Sequence, residues 1–388
     1  MTSDFDKIIE RRHTESYKWD TPDRADVLPM WVADMDFRTA PVIIDALRRR
    51  VDHGVFGYTH VPDEYYRSVI DWFEKRHGWK IDRSWFIYTS GVVPAISAII
   101  KALTVPGDKV IVTTPVYNCF FSSIRNNGCV ATCIPLVQVD GRYEIDFAAL
   151  ETAAADPSAK VMLLCNPHNP GGRVWTHDEL IHLADICLRH GVYVVSDEIH
   201  CELTYIDGGY TPFGSLPAPY RDNASVCVSP SKAFNIAGLQ IANIITPDAE
   251  IRRRIDRAIN INEVCDVNPF GVEATIAAYR HGGEWLESLV EYIHGNYTTI
   301  RDFIAKELPA LKMMPLESTY LAWIDIRATR MASEELTALL LEREKLMVNP
   351  GTMYGADGEG FVRINFACPR SVVIDALNRF KTVLTPIL

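Results

Sequence analysis

The chain has 388 residues, 48% of them hydrophobic and 23% charged, enough to bury a sizeable core and to fill two domains of ordinary globular composition. Its formal net charge is −11, from 39 basic and 50 acidic side chains, which argues against nucleic acid or an anionic membrane as the main partner. Lys101 interrupts the longest apolar stretch (92–105), the N-terminus is acidic without a signal-peptide core, and the nine cysteines are scattered without close CxxC pairs; a cytoplasmic chain with reduced thiols is expected, not a membrane span, a disulfide framework or a zinc site.

The segment 1–45 is rich in turns and carries Trp19 and Trp31, so it is expected to drape over a functional site instead of forming a domain. Gly54 and Gly57 then mark a loop that presents Tyr58. An apolar segment leads into Thr89-Ser90-Gly91-Val92-Val93-Pro94-Ala95, and Ile96, Ile99, Ile100 and Leu103 follow at helical spacing. The N–H groups and dipole at such a helix start favour a phosphate, and Gly91 allows close approach. Read alone, this is simply a capped helix.

Short apolar runs follow at 109–113, 160–165, 192–196, 225–228 and 241–245. Continuous runs of this length suit parallel strands buried on both faces. Between them Thr176-His177-Asp178-Glu179 reads as a capping box opening a helix. Leu180, Leu183, Ala184 and Cys187 form its apolar stripe, and Gly191 marks its end. Strand–helix alternation predicts an α/β domain with a mostly parallel sheet, over 46–284. Toward the C-terminus, strand-like runs at 323–326 and 361–366 flank a helical stretch at 333–344, which predicts a smaller α+β domain over 285–388.

Three of these strand ends carry chemistry-bearing residues. Val226-Cys227-Val228-Ser229-Pro230-Ser231-Lys232 closes an apolar run with two hydroxyls and one lysine. That arrangement suits pyridoxal phosphate held as a Schiff base, with Ser229 and Ser231 on the phosphate. The cofactor also needs an acid at its pyridine nitrogen, and Asp197 ends the run 192–196. His200, three residues on, reads as either a structural histidine or a cofactor neighbour. Asn166-Pro167-His168-Asn169-Pro170-Gly171-Gly172 turns at another strand's carboxyl end, the edge where open α/β sheets bind ligands; Asn169 can donate its amide to the phenolic oxygen.

Taken together, GVVPA, NPHNPGG, SDEIH and SPSKAFNIAGLQ resemble fold-type I pyridoxal-phosphate enzymes of the class I/II aminotransferase superfamily, in the family's order and over most of the chain. The resemblance implies that Lys232 is the Schiff-base lysine, Asp197 the pyridine-nitrogen acid, Asn169 the phenolate donor and Tyr117 the stacking aromatic. Gly91, Val92, Val93, Ser229 and Ser231 fall to the phosphate and His200 to the phenolic side. Arg363 matches the arginine that forks onto the substrate α-carboxylate, a task its planar guanidinium suits. Longer phrases, RRHTESYKWD, LPMWVADMDF, GYT and ESTYLAW, are similar to the MalY/PatB subfamily of cystathionine β-lyases, which places Ala33 and Asn169 beside Arg363 at the substrate.

That subfamily implies β-elimination from cystathionine and other cysteine S-conjugates, yielding a thiol, pyruvate and ammonia. An aminotransferase and a regulatory protein on the same fold remain the alternatives. Tyr58 matches a tyrosine that reaches the neighbouring subunit's phosphate, so a homodimer with shared sites is implied. The chain departs from many aminotransferases in two places: Gln240 stands where they carry a phosphate-binding arginine, and His200 where they carry a tyrosine. Substrate choice is expected to depend on the pocket near Trp31, Tyr65 and Tyr66.

Overall fold

The computed structural model describes residues 4–388 apart from 23, 262, 264 and 265; the first three residues of the acidic N-terminus and Cys265 lie outside that set. Its centre is a seven-stranded sheet of β1 (Phe86–Thr89), β2 (Lys109–Thr114), β3 (Val130–Pro135), β4 (Ala159–Cys165), β5 (Tyr193–Asp197), β6 (Ala224–Val228) and β7 (Ala242–Ile245). The order across the sheet is β1-β7-β6-β5-β4-β2-β3. Neighbours from β6 through β3 are parallel, while β7 runs antiparallel to both β6 and β1. All five strand-like runs of the large unit are strands, within a residue or two at each end. The antiparallel sense of β7 is not encoded in its apolar pattern, and the edge strand β3 is mostly exposed or half-buried, so it lacks a continuous apolar run.

Side chains alternate across the sheet as a period of two requires. Val161, Leu163 and Cys165 of β4, with Tyr193 and Val195 of β5, face α3 (Val92–Leu103). Met162, Leu164 and Val194 face the opposite core, which includes Leu180, Leu183, Ala184 and Cys187 of α5 (His177–Arg189). Asp197 shares parity with Tyr193 and Val195, so it falls on the α3 side, where its register partners are Cys165 and Cys227. The α5 start is the expected capping box: Glu179 N–H donates to Thr176 Oγ1 at 3.2 Å, and Thr176 N–H donates to Glu179 Oε2 at 2.7 Å.

A second, four-stranded antiparallel sheet follows the long helix Gly283–Glu307. Its main strands are Leu321–Asp325 and Phe361–Asn365, with the helix Ser333–Glu344 between them in sequence. The N-terminal segment joins this unit: Leu28–Pro29 pairs in parallel with Leu346–Met347. Asn365 N–H donates to Met30 O, and Asp36 N–H to Ala367 O. No helix among the described residues is long and apolar enough to cross a membrane. The eight described cysteines are unpaired, six of them buried.

Candidate active site

The carboxyl ends of β1, β2, β4, β5 and β6 open onto a cavity of about 190 Å³. Gly91, Val92 and Val93 enter it from the N-terminus of α3, and Tyr117 from the loop after β2. Asn169 comes from the turn after β4, Asp197 and His200 from the end of β5, and Ser231 and Lys232 from the turn after β6. Ala33 closes the cavity from the N-terminal segment. Ten of the residues singled out in the sequence therefore line one space.

Lys232 is half-buried, and its Nζ donates to Ala33 O at 2.5 Å. Burial pulls the ammonium down to about 8; Asp34 and Asp197 act against that, while Arg363 adds to it. Asp197 is buried, and Ile199 N–H is its one hydrogen-bond donor, at 3.1 Å. Burial raises its carboxyl to about 7, opposed by the Ile199 N–H and by the Lys232 charge. Burial, with Lys232 and Arg363 nearby, lowers His200 to about 3 and keeps it neutral. Tyr117 is raised well above the usual phenol value by burial and by Cys119.

Arg363 does not line the cavity wall but stands behind Asn169. Its Nη1 donates to Asn169 Oδ1 at 3.1 Å, its Nη2 donates to Trp31 O at 2.8 Å, and its guanidinium lies 4.7 Å over the Tyr354 ring. Accepting on Oδ1 leaves the Asn169 amide NH₂ free to donate. Among the described residues, Arg363 Nε and His200 Nδ1 are buried polar atoms without a partner. Such atoms are uncommon; here His200 lines a cavity that also holds the underpaired Asp197 carboxylate, and Arg363 stands behind its Asn169. These features fit a flat heteroaromatic cofactor with a protonated ring nitrogen, a phenolic oxygen, an aldehyde and a phosphate, the groups of pyridoxal phosphate.

Several expected placements differ. Ser229 does not line the cavity: its hydroxyl donates to Ile241 O at 2.6 Å and lies 2.8 Å from Ser231 Oγ, because it continues the edge that pairs with β7. Tyr65 is fully buried, donating to Asn243 Oδ1 at 3.0 Å, and Tyr66 lies under Arg83; helix packing carries both away from the cavity, so neither shapes it. Gln240 is exposed and outside the cavity lining. Tyr58 is 96% exposed and reaches no site in its own chain. Tyr320, unassigned in sequence, donates to Ala33 O at 2.9 Å; its presence in the phrase ESTYLAW was the available signal. Pro94, Ile199 and Ala237, which lie within the quoted motifs but were given no role there, also line the cavity, as does Cys165 at the end of β4.

Residues 25–380 match the model of the family "Aminotransferase class I and II". The chain is 44% identical to cystathionine β-lyase PatB of Bacillus subtilis, over 98% of this chain and all of PatB. It is 38% identical to MalY of Escherichia coli, over 95% of each. The PLP-bound C–S lyase of Staphylococcus hominis superposes with a TM-score of 0.93 at 32% identity, covering 99% of this chain and 100% of that one.

Proposed function

Because the chain belongs to the class I and II aminotransferase family, in the branch that holds PatB and MalY, we propose that it is a pyridoxal-phosphate-dependent carbon–sulfur β-lyase acting on cystathionine and related cysteine S-conjugates. The observation that carries this reading is the convergence of Lys232, Asp197, Asn169 and Tyr117 on one cavity, with Arg363 held behind Asn169.

Bound pyridoxal phosphate supplies an electron sink that lets the substrate Cα–H bond break and the β-sulfur leave as a thiolate. The chain's residues position that chemistry. Lys232 would hold the cofactor at its aldehyde and would accept the substrate Cα proton; with its ammonium pulled to about 8, a useful fraction is neutral near physiological pH. Asp197 would pair with the protonated pyridine nitrogen, a pairing that would relieve the burial cost of its carboxylate. Asn169 would donate to the phenolic oxygen and Tyr117 would stack on the ring.

Phosphate would fall to the N–H groups of Val92 and Val93 and to Ser231, with Ser229 supporting Ser231 through their hydroxyl contact. Apart from Lys232, none of the residues lining the cavity is cationic, so helix N–H groups carry the role that many relatives give to an arginine. Arg363 would grip the substrate α-carboxylate and so orient the Cα–H bond, with Ala33 and Asn169 at its sides.

The working unit on this reading is a homodimer. Val51, Val55, Phe56 and Tyr58 are each more than half exposed within eight residues, an apolar surface suited to burial against a second copy. Tyr58 would then donate to the neighbour's phosphate. The same reading divides the chain into 1–45, 46–284 and 285–388, with the first junction inside the helix Pro41–His53, and places it in the cytoplasm, which suits its unpaired thiols.

Incubation with L-cystathionine, with no keto acid added, is expected to release homocysteine thiol, pyruvate and ammonia in equal amounts. Dependence on a keto-acid acceptor with no thiol released would establish an aminotransferase instead; binding of cystathionine without either product would leave a regulatory protein.

A further inference from the structure

Four charged side chains of the N-terminal segment form a closed cluster that the reaction above does not use. Lys18 has none of its side chain exposed; its Nζ lies 2.8 Å from Asp36 Oδ2 and 3.9 Å from Asp34 Oδ1. Arg11 spans both carboxylates, 2.7 Å from Asp34 Oδ2 and 2.7 Å from Asp36 Oδ1. Two cations and two anions balance. One atom is left over: Asp34 Oδ1 is buried and makes no hydrogen bond.

Asp34 directly follows Ala33, whose carbonyl receives both Lys232 Nζ and the Tyr320 hydroxyl. The cluster's least satisfied oxygen therefore belongs to the residue next to the partner of the lysine. Asn365 fixes the peptide there by donating to the carbonyls of Val32 and Asp34. Asn235, three residues beyond Lys232, bonds Met35 from both sides: its Oδ1 accepts from Met35 N–H at 3.0 Å and its Nδ2 donates to Met35 O at 3.0 Å. The segment is thus clamped to the lysine's own turn, so charge in the cluster acts on Lys232 at a fixed position. The other groups facing that nitrogen are Asp197 and His200 from the end of β5, Arg363 from the second sheet, and Cys119 from the helix Cys119–Asn126.

We propose that Asp34 is a positioning residue for Lys232: its carboxylate, held and partly neutralised by Arg11 and Lys18, sets the field at the lysine nitrogen and decides at which pH that nitrogen keeps its proton. This rests on the reading that Lys232 carries the cofactor. Removing the Asp34 charge leaves the cluster net positive; removing the Arg11 charge leaves it net negative. The two changes push the lysine nitrogen in opposite directions, whereas loss of a purely structural clamp pushes both variants the same way or neither.

The test is a pH titration of the visible absorbance of the holoenzymes, which reports protonation of the lysine–cofactor linkage without turnover. Asp34→Asn is expected to lower the midpoint by about one pH unit. Arg11→Gln is expected to raise it by less, because Arg11 acts on the lysine through Asp34, whose Oδ2 it holds at 2.7 Å. Midpoints that move together or stay fixed overturn the proposal. Should Asp34→Asn fail to fold, Arg11→Gln against Arg11→Lys decides it, since only the first removes charge; equal midpoints for that pair overturn it. Borohydride reduction of the wild-type holoenzyme followed by mass mapping keeps the two readings apart: label on another lysine sinks the assignment of Lys232, whereas label on Lys232 with unmoved midpoints sinks Asp34 alone.

Discussion

At Arg363 each terminal nitrogen is half engaged, one N–H on Asn169 and one on Trp31 O, so one N–H on each stays available for a substrate carboxylate. Arg363→Ala removes that fork and a charge-assisted pair worth about 2–4 kcal/mol, so kcat/KM is expected to fall roughly 30- to 1,000-fold; an unchanged value would move the carboxylate site elsewhere. Asp197 and Glu198 give a second residue-level test, made by removing the cofactor. Burial raises both carboxyls to about 7 in the folded chain, above their ordinary values near 4. A folded-state pKa above the unfolded one means the folded chain binds the proton more tightly, so stability is lost as pH rises from about 4 to about 7. Burial also lowers His200 and His168 to about 3, and those groups add stability as pH rises through about 6.5, so the test is a difference between two cofactor-free proteins: Asp197→Asn is expected to gain melting temperature relative to the wild type on going from pH 5 to pH 8. A difference that does not grow over that range would contradict the burial argument.

At the scale of elements, the capping box of α5 lies on the face of the sheet opposite Asp197, so stability and chemistry separate there. Thr176→Ala removes the acceptor for Glu179 N–H and is expected to cost about 1 kcal/mol, seen as a lower urea midpoint with kcat/KM unchanged. A loss of activity at full cofactor loading would show that α5 couples to the site. This helix was legible because its signals are local: Thr176, Glu179 and the apolar stripe lie within a dozen residues. The strands β2, β4, β5 and β6 were legible for the same reason, being continuous apolar runs. Strand β3 was not, because an edge strand with mostly exposed or half-buried side chains carries no such run. Nor was the short pairing of Leu28–Pro29 with Leu346–Met347, which depends on a partner more than 300 residues away.

At the scale of the molecule, a site completed by a second copy predicts complementation. An inactive Tyr58 variant mixed with an inactive Lys232 variant is expected to regain partial activity after subunit exchange, because some hybrid dimers carry one intact site. No recovery after verified exchange, or a fully active monomer, would place Tyr58 outside the active site. The exposure of Tyr58 beside Val55 and Phe56 is the physical reason to expect contact with another chain and not with its own cavity.

The sequence by itself determined the apolar strands of the sheet, though not its edge strand β3 or the sense of β7, together with the cofactor class and the residues at the strand ends. Parallel strands buried on both faces must be apolar throughout, so the polar residues Asn169, Asp197 and Lys232 could stand only where the strands stop, and those ends share one edge. Only the tertiary structure decided what lies behind them. The bonds from Lys232 to Ala33 and from Arg363 to Trp31 join residues 199 and 332 apart, and no local pattern encodes them. They exist because the N-terminal segment is paired to the second sheet and carried across the mouth of the first. The same packing turned Ser229 toward Ile241, drew Tyr65 and Tyr66 away from the cavity, and set the Arg11–Lys18–Asp34–Asp36 cluster against the lysine's turn.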